Sequence, residues 1–80
     1  MKTTYLNLAN LGNKIRELRK QRGYSQENFA ADAQLDRTYI GRVERGEQNI
    51  SIQNLIRIAV TLHVEISELV PRLKDLKLPR

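Results

Sequence analysis

One local pattern occurs three times in this chain and leaves few folds open to it. An apolar residue is followed at once by a capping residue and, four positions after the cap, by a second apolar residue. The instances are Tyr24-Ser25 with Phe29, Leu35-Asp36 with Ile40, and Ile50-Ser51 with Leu55. A Ser or Asp just before a helix accepts hydrogen bonds from backbone N–H groups that the first turn leaves unpaired, which is worth about 1 kcal/mol. The flanking apolar pair closes over that turn as a hydrophobic staple. Ser25, Asp36 and Ser51 therefore mark three helix starts.

The remaining elements follow from periodicity and stop signals. Leu11, Ile15 and Leu18 form an i, i+4, i+7 stripe, and Gly23 stands where a left-handed C-terminal cap is expected. The first helix thus ends at about Arg22 and starts somewhere between Leu6 and Leu11. The second ends by about Ala33, because Asp36 must already cap the third. Two short helices joined by about three residues have the spacing of a helix-turn-helix. Gly46 stops the third helix. The fourth carries Leu55, Ile58, Ala59 and Leu62 on one face and ends near His63. A short fifth spans about Glu65 to Val70, and Pro71 discourages its continuation. Strict alternation never lasts and no Asn-Gly or Asp-Gly hairpin signal occurs, so the fold expected is all-α, a compact five-helix bundle. Residues 1–10 read as an N-terminal arm or the start of the first helix, 11–70 as the domain, and 71–80 as a basic tail, frayed or holding one short turn.

Eighty residues bury only a modest core, and with four aromatics that core is expected to be aliphatic. A small core gives a reason to dimerise, and Val64, Ile66, Leu69 and Val70 are the candidates for apolar contact between two copies. The absence of cysteine excludes disulfides, thiolate metal sites and a thiol nucleophile. The lone His63 reads as a helix cap, and Ser25 and Ser51 are already explained as caps. No constellation for catalysis remains, and no metal or cofactor is implied. No apolar run approaches the roughly 18–20 residues of a membrane span, and the N-terminus makes a poor signal peptide. Cytoplasm is the expected location.

The net charge is +5, and its distribution is uneven. Gly12 to Arg22 holds Lys14, Arg16, Arg19, Lys20 and Arg22 against Glu17. Glu47 to Val70 holds Arg57 against Glu47, Glu65 and Glu68, and the last ten residues are basic again. Such polarity suits an oriented anionic partner. At 3.6 residues per turn, the third helix turns Asp36, Ile40, Val43 and Glu44 inward and Thr38, Gly41, Arg42 and Arg45 outward, while Arg37 projects past its N-terminal end. Arg offers a rigid fork to guanine O6 and N7, and Thr can bond a base edge or meet a thymine methyl. A glycine costs roughly 1 kcal/mol in a helix interior, and Gly41 on this face is read as clearance for close approach to DNA. Glu44 on the inward side needs a partner, because an unpaired buried charge is expensive. Arg19 also turns inward, so the two are expected to form a partly buried ion pair that fixes the angle of the third helix.

The run from Ile15 to Leu69 resembles the phage-repressor-like helix-turn-helix domains, the Cro or xenobiotic-response-element family. The resemblance lies in Arg19, Gly23, Ser25-Gln26, Phe29-Ala30, Ile40, Val43-Glu44, Gly46, Ser51, Leu55 and the closing "ISELV". Within it, "LDRTYIGRVERG" is similar to the recognition segment of restriction–modification controller proteins. The resemblance implies a sequence-specific transcriptional regulator that binds double-stranded DNA as a homodimer on a pseudo-palindromic operator. Arg37, Thr38, Gly41 and Arg42 would face base edges. Ser25, Gln26, Tyr39, Arg45, Asn49 and Ser51 would hold the DNA backbone. With no effector domain in 80 residues, control would come from protein concentration, through operator occupancy and contact with or occlusion of RNA polymerase. An antitoxin-like or phage-repressor-like module, its tail ordering on a protein partner, is the alternative. Gln34 and His63 stand at positions where this family often has glycine; Gln34 would be somewhat strained if left-handed there, whereas histidine tolerates the left-handed region better than most.

Overall fold

The computed structural model describes residues 3–78; Met1, Lys2, Pro79 and Arg80, which belong to the expected arm and basic tail, lie outside the described residues. Among the described residues five α-helices follow one another: α1 (Thr3–Gln21), α2 (Gln26–Ala33), α3 (Arg37–Glu44), α4 (Ile52–Leu62) and α5 (Ile66–Leu69), with a 3-10 turn at Leu73–Asp75 after them. No strand occurs among the described residues.

Each repeat of the opening pattern does what its chemistry requires. Ser25 Oγ accepts from the Asn28 N–H at 3.0 Å, and Ser51 Oγ accepts from the Asn54 N–H at 3.2 Å. Asp36 Oδ1 accepts more loosely from the Thr38 N–H, at 3.4 Å. The stops are equally local. Gln34 (φ 59°) and His63 (φ 58°) adopt the left-handed conformation, which costs a non-glycine residue roughly 1–2 kcal/mol. Both positions recover hydrogen bonds in return. The N–H groups of Gln34 and Leu35 donate to the Ala31 and Ala30 carbonyls, and those of His63 and Val64 donate to Val60 and Ala59. Arg57 Nη1 also donates to Gln34 Oε1 at 3.1 Å, and Arg22 Nε donates to the Leu62 carbonyl at 3.0 Å.

Ile15, Phe29, Ile40, Ile58, Leu62 and Leu69 are the largest fully buried side chains, and they tie all five helices into one core. Fully burying one such side chain stabilises by about 1.5–3 kcal/mol. Two expectations change here. The core is not purely aliphatic: Phe29 is completely covered, and the Tyr24 ring meets it at 5.5 Å between centroids. Leu69 is also completely buried, so it closes the core of a single chain and cannot be a contact between two copies. Val64 and Ile66 pack half-buried against the same core, whereas Val70 remains 42 % exposed.

The first helix starts earlier than its apolar stripe indicates. Its N-terminal half lies against the end of α3, where small residues rather than large apolar ones permit the contact. A Cβ on Gly12 would collide with the Val43 carbonyl oxygen and lie 2.7 Å from that of Glu44. Gly46 (φ 74°) faces Ala9 so closely that a Cβ would lie 2.8 Å from the Ala9 Cα. The tail after the 3-10 turn returns to the same helix. Asn7 Nδ2 donates to the Lys77 carbonyl at 2.7 Å, and the Lys77 N–H donates to Asn7 Oδ1 at 2.9 Å.

Candidate nucleic-acid interface

Helix α3 is anchored before it is presented. Arg19 Nε donates to Glu44 Oε2 at 2.7 Å, and Arg19 Nη2 donates to Glu44 Oε1 at 3.1 Å. Both residues are buried, at 7 % and 5 % exposure, as the inward arc of each helix requires. The network is larger than a pair. Arg19 Nη1 donates to the Tyr24 carbonyl at 2.8 Å, and Gln26 Nε2 donates to Glu44 Oε1 at 3.0 Å. Every buried side-chain nitrogen and oxygen among the described residues has a partner, so the desolvation of these charges is compensated. The end of α3 is thereby fixed to α1, to the α1–α2 turn and to the start of α2.

Arg37, Thr38 and Arg42 are all exposed, Thr38 and Arg42 on the outer face of α3 as the helical spacing places them and Arg37 at its first residue. Gly41 is not. It is buried, because the Arg45 side chain folds back across it. A Cβ on Gly41 would lie 3.1 Å from Arg45 Nη1 and 3.9 Å from Gln26 Oε1. The space that the glycine leaves open is thus occupied by a guanidinium in the free protein. Arg45 Nε also donates to Glu47 Oε2 at 3.1 Å. That hydrogen bond raises the Arg45 pKa and, from the other side, holds the Glu47 carboxyl below its usual range. Glu47 counted only as a charge in the sequence; its spacing two residues from Arg45 is the signal that pairs them. Both groups are half exposed, and such pairs contribute little to stability.

The residues expected at the DNA backbone divide in the same way. Ser25, Asn49 and Ser51 are exposed, the two serines as helix caps. The Gln26 side chain is engaged internally with Glu44. Tyr39 packs half-buried against the core, and its hydroxyl accepts from Asn54 Nδ2 at 3.0 Å. Asn54 is absent from the sequence-derived set, although its place three residues after the Ser51 cap could have drawn attention to it. Among the described residues no group of three or more His, Asp or Glu side chains is placed to hold a metal ion, and no helix is long and apolar enough to cross a membrane.

Two short helices joined by a left-handed turn, with a cationic outer face on the second, define a helix-turn-helix domain of the repressor type. Residues 15–69 match the family model described as Helix-turn-helix, and the chain belongs to this family, HTH_3. It is 48 % identical over 59 residues to the control protein C.MunI of a Mycoplasma species, which covers 72 % of this chain and 80 % of that protein. The crystal structure of the restriction–modification controller protein C.AhdI from Aeromonas hydrophila superimposes with a TM-score of 0.76 at 45 % identity, covering 78 % of this chain and 94 % of the other. The biofilm regulator SinR, solved in complex with DNA, superimposes with a TM-score of 0.72 at 35 % identity, over 74 % and 95 % of the two chains.

Proposed function

We propose that this protein is a sequence-specific DNA-binding transcriptional regulator, acting as a homodimer on a pseudo-palindromic operator in the manner of a restriction–modification controller. The observation that carries this reading is the division of α3: a buried, fully partnered Arg19–Glu44–Gln26 network on one side and exposed Arg37, Thr38 and Arg42 on the other. A helix fixed this firmly presents its outer side chains in one geometry, which base readout needs. Arg37, Thr38 and Arg42 read base edges. Tyr39, Asn49 and the starts of α2 and α4 at Ser25 and Ser51 contact phosphates, helped by the positive helix ends. Gln26 contributes its main-chain N–H in the first turn of α2 rather than its side chain. Arg45 reaches DNA by leaving Glu47, and that movement uncovers Gly41 for close approach. The same face bound at operators overlapping a promoter would control access of RNA polymerase.

The test is binding of the protein to duplexes selected from a random pool, compared with unselected DNA. Arg37→Ala should weaken the selected site by about 1–3 kcal/mol and flatten preference at one base position. An equal loss on random DNA would contradict base readout by Arg37.

The interface between two copies is better placed on α4 than on Leu69. Ile52 (62 % exposed), Ile56 (42 %) and Val60 (67 %) recur at i, i+4 and i+8, forming one apolar stripe that the core does not use. Pairing through this stripe, with exposed Val70 as a further apolar contact, is the proposed way for two α3 helices to meet the spacing of about 34 Å that successive major grooves require. Val60→Glu should therefore convert the protein to a monomer in sedimentation and abolish cooperative binding to paired half-sites. The monomer should still fold with an unchanged helical circular-dichroism spectrum, since Val60 is exposed in the single chain. A dimer that survives the substitution would exclude this surface. An antitoxin-like role has less support, because the main chain of the tail is already held by Asn7.

A further inference from the structure

The contact between Tyr39 and Asn54 has a polarity with consequences for what Tyr39 can bind. A phenol carries one O–H donor and two acceptor lone pairs, whereas the –NH2 group of an asparagine side chain only donates. Asn54 Nδ2 points at the Tyr39 oxygen at 3.0 Å, so a lone pair of the phenol is used inside the protein and its proton is not. No acceptor among the described residues takes that proton. The ring itself is half-buried against the core, which fixes where the hydroxyl sits.

Asn54 is fixed as well. Its backbone N–H donates to Ser51 Oγ at 3.2 Å in the first turn of α4, while its side chain reaches α3. One residue thus closes the α4 cap and holds the tyrosine. The hydroxyl proton is left beside the start of α4, whose free N–H groups favour anions, and Tyr39 stands on the same helix as the exposed Arg37, Thr38 and Arg42. We infer that Asn54 is a positioning residue that presents the Tyr39 hydroxyl as a donor, dedicated to an acceptor oxygen of bound DNA. The inference rests on the DNA-binding reading above.

Reversing the polarity tests it. In Asn54→Asp, a carboxylate of nearly the same shape can only accept. It takes the phenol proton and turns the tyrosine lone pairs toward the DNA. The backbone N–H to Ser51 is kept, and an acidic residue is favourable in a first helical turn, so the variant folds. Affinities are measured by fluorescence anisotropy on a duplex selected with the wild-type protein and on a random duplex, for Asn54→Asp, Tyr39→Phe and the double variant.

The expected result for Tyr39→Phe is a loss of at least about tenfold, since a hydrogen bond to a charged group is lost in each half-site. Asn54→Asp should lose at least as much with an unchanged melting temperature in the free protein. The double variant should be weaker than either single change by far less than the product of the two, because without the phenol hydroxyl the introduced carboxylate has no proton left to misdirect. Equal loss on both duplexes assigns the acceptor to a phosphate, and loss confined to the selected duplex assigns it to a base edge; either supports the inference. Wild-type affinity in Asn54→Asp, or losses that simply multiply, would overturn it while leaving DNA binding intact. A wild-type protein that enriches no duplex from the random pool would overturn the DNA-binding reading itself, and this inference with it.

Discussion

Glu44→Ala should destabilise the protein by about 3–5 kcal/mol, the range measured when one partner of a buried ion pair is removed. The substitution deletes three contacts at once: both limbs of the Arg19 fork and the Gln26 amide. Arg19 keeps only the Tyr24 carbonyl and stays buried among its surroundings, so its charge is left without compensation. For a domain of this size each 1 kcal/mol moves the melting temperature by about 4–8 °C. Thermal and urea denaturation should therefore show a drop of well over ten degrees, and a melting temperature within a few degrees of wild type would refute the role given to the pair. The double change Arg19→Met with Glu44→Leu should recover most of the lost stability, because apolar groups of similar volume need no partner. That double variant separates the cost of an orphaned charge from the loss of packing. It should also reorient α3 slightly, so recovered stability without recovered operator affinity is the expected outcome if the pair serves orientation.

How much of this is legible in the sequence depends on the range of the interaction. The starts of α2, α3 and α4 are readable because each is set by residues within one turn, Ser25 with Asn28 and Ser51 with Asn54. The left-handed stops at Gln34 and His63 are readable through the family resemblance. The Arg19–Glu44 pair is accessible from helical periodicity, since both charges fall on apolar arcs and each requires a partner. The place of Gln26 in that network is not, because a capping-region amide has no periodic signal for direction. Leu69 misleads for a related reason. A short helix shows which residues are apolar but not which neighbour covers them, and in three dimensions the core takes Leu69 and leaves Ile52, Ile56 and Val60 outside. Gly41 is placed on the outer face correctly by angle, yet a side chain four residues later folds over it. Angle on a helical wheel does not report the reach of an arginine.

The two helix-interior glycines look alike in sequence and should respond oppositely to alanine. Alanine is favoured over glycine in a helix by about 1 kcal/mol, so any other result measures the surroundings. At Gly12 the new methyl would collide with the Val43 carbonyl oxygen and meet the Glu44 carbonyl oxygen at 2.7 Å and the Glu44 carbonyl carbon at 2.9 Å. These are main-chain atoms at the end of α3 and cannot rotate away. Helix α1 must move outward, and Arg19 on the same helix moves with it relative to Glu44. The expected loss for Gly12→Ala is about 3 kcal/mol, the upper part of the usual overpacking range. Because the strain reaches the Arg19–Glu44 pair, combining Gly12→Ala with Glu44→Ala should cost less than the sum of the two. At Gly41 the nearest atom to the new methyl is the far end of Arg45, at 3.1 Å, and a guanidinium can swing aside. Gly41→Ala should keep the stability or raise it by up to about 1 kcal/mol. Denaturation of both single variants by the same method decides between these accounts. If Gly12→Ala is as stable as Gly41→Ala, α1 does not rest on the end of α3. If Gly41→Ala is the destabilising one, Arg45 is held over α3 more rigidly than a half-exposed side chain should be.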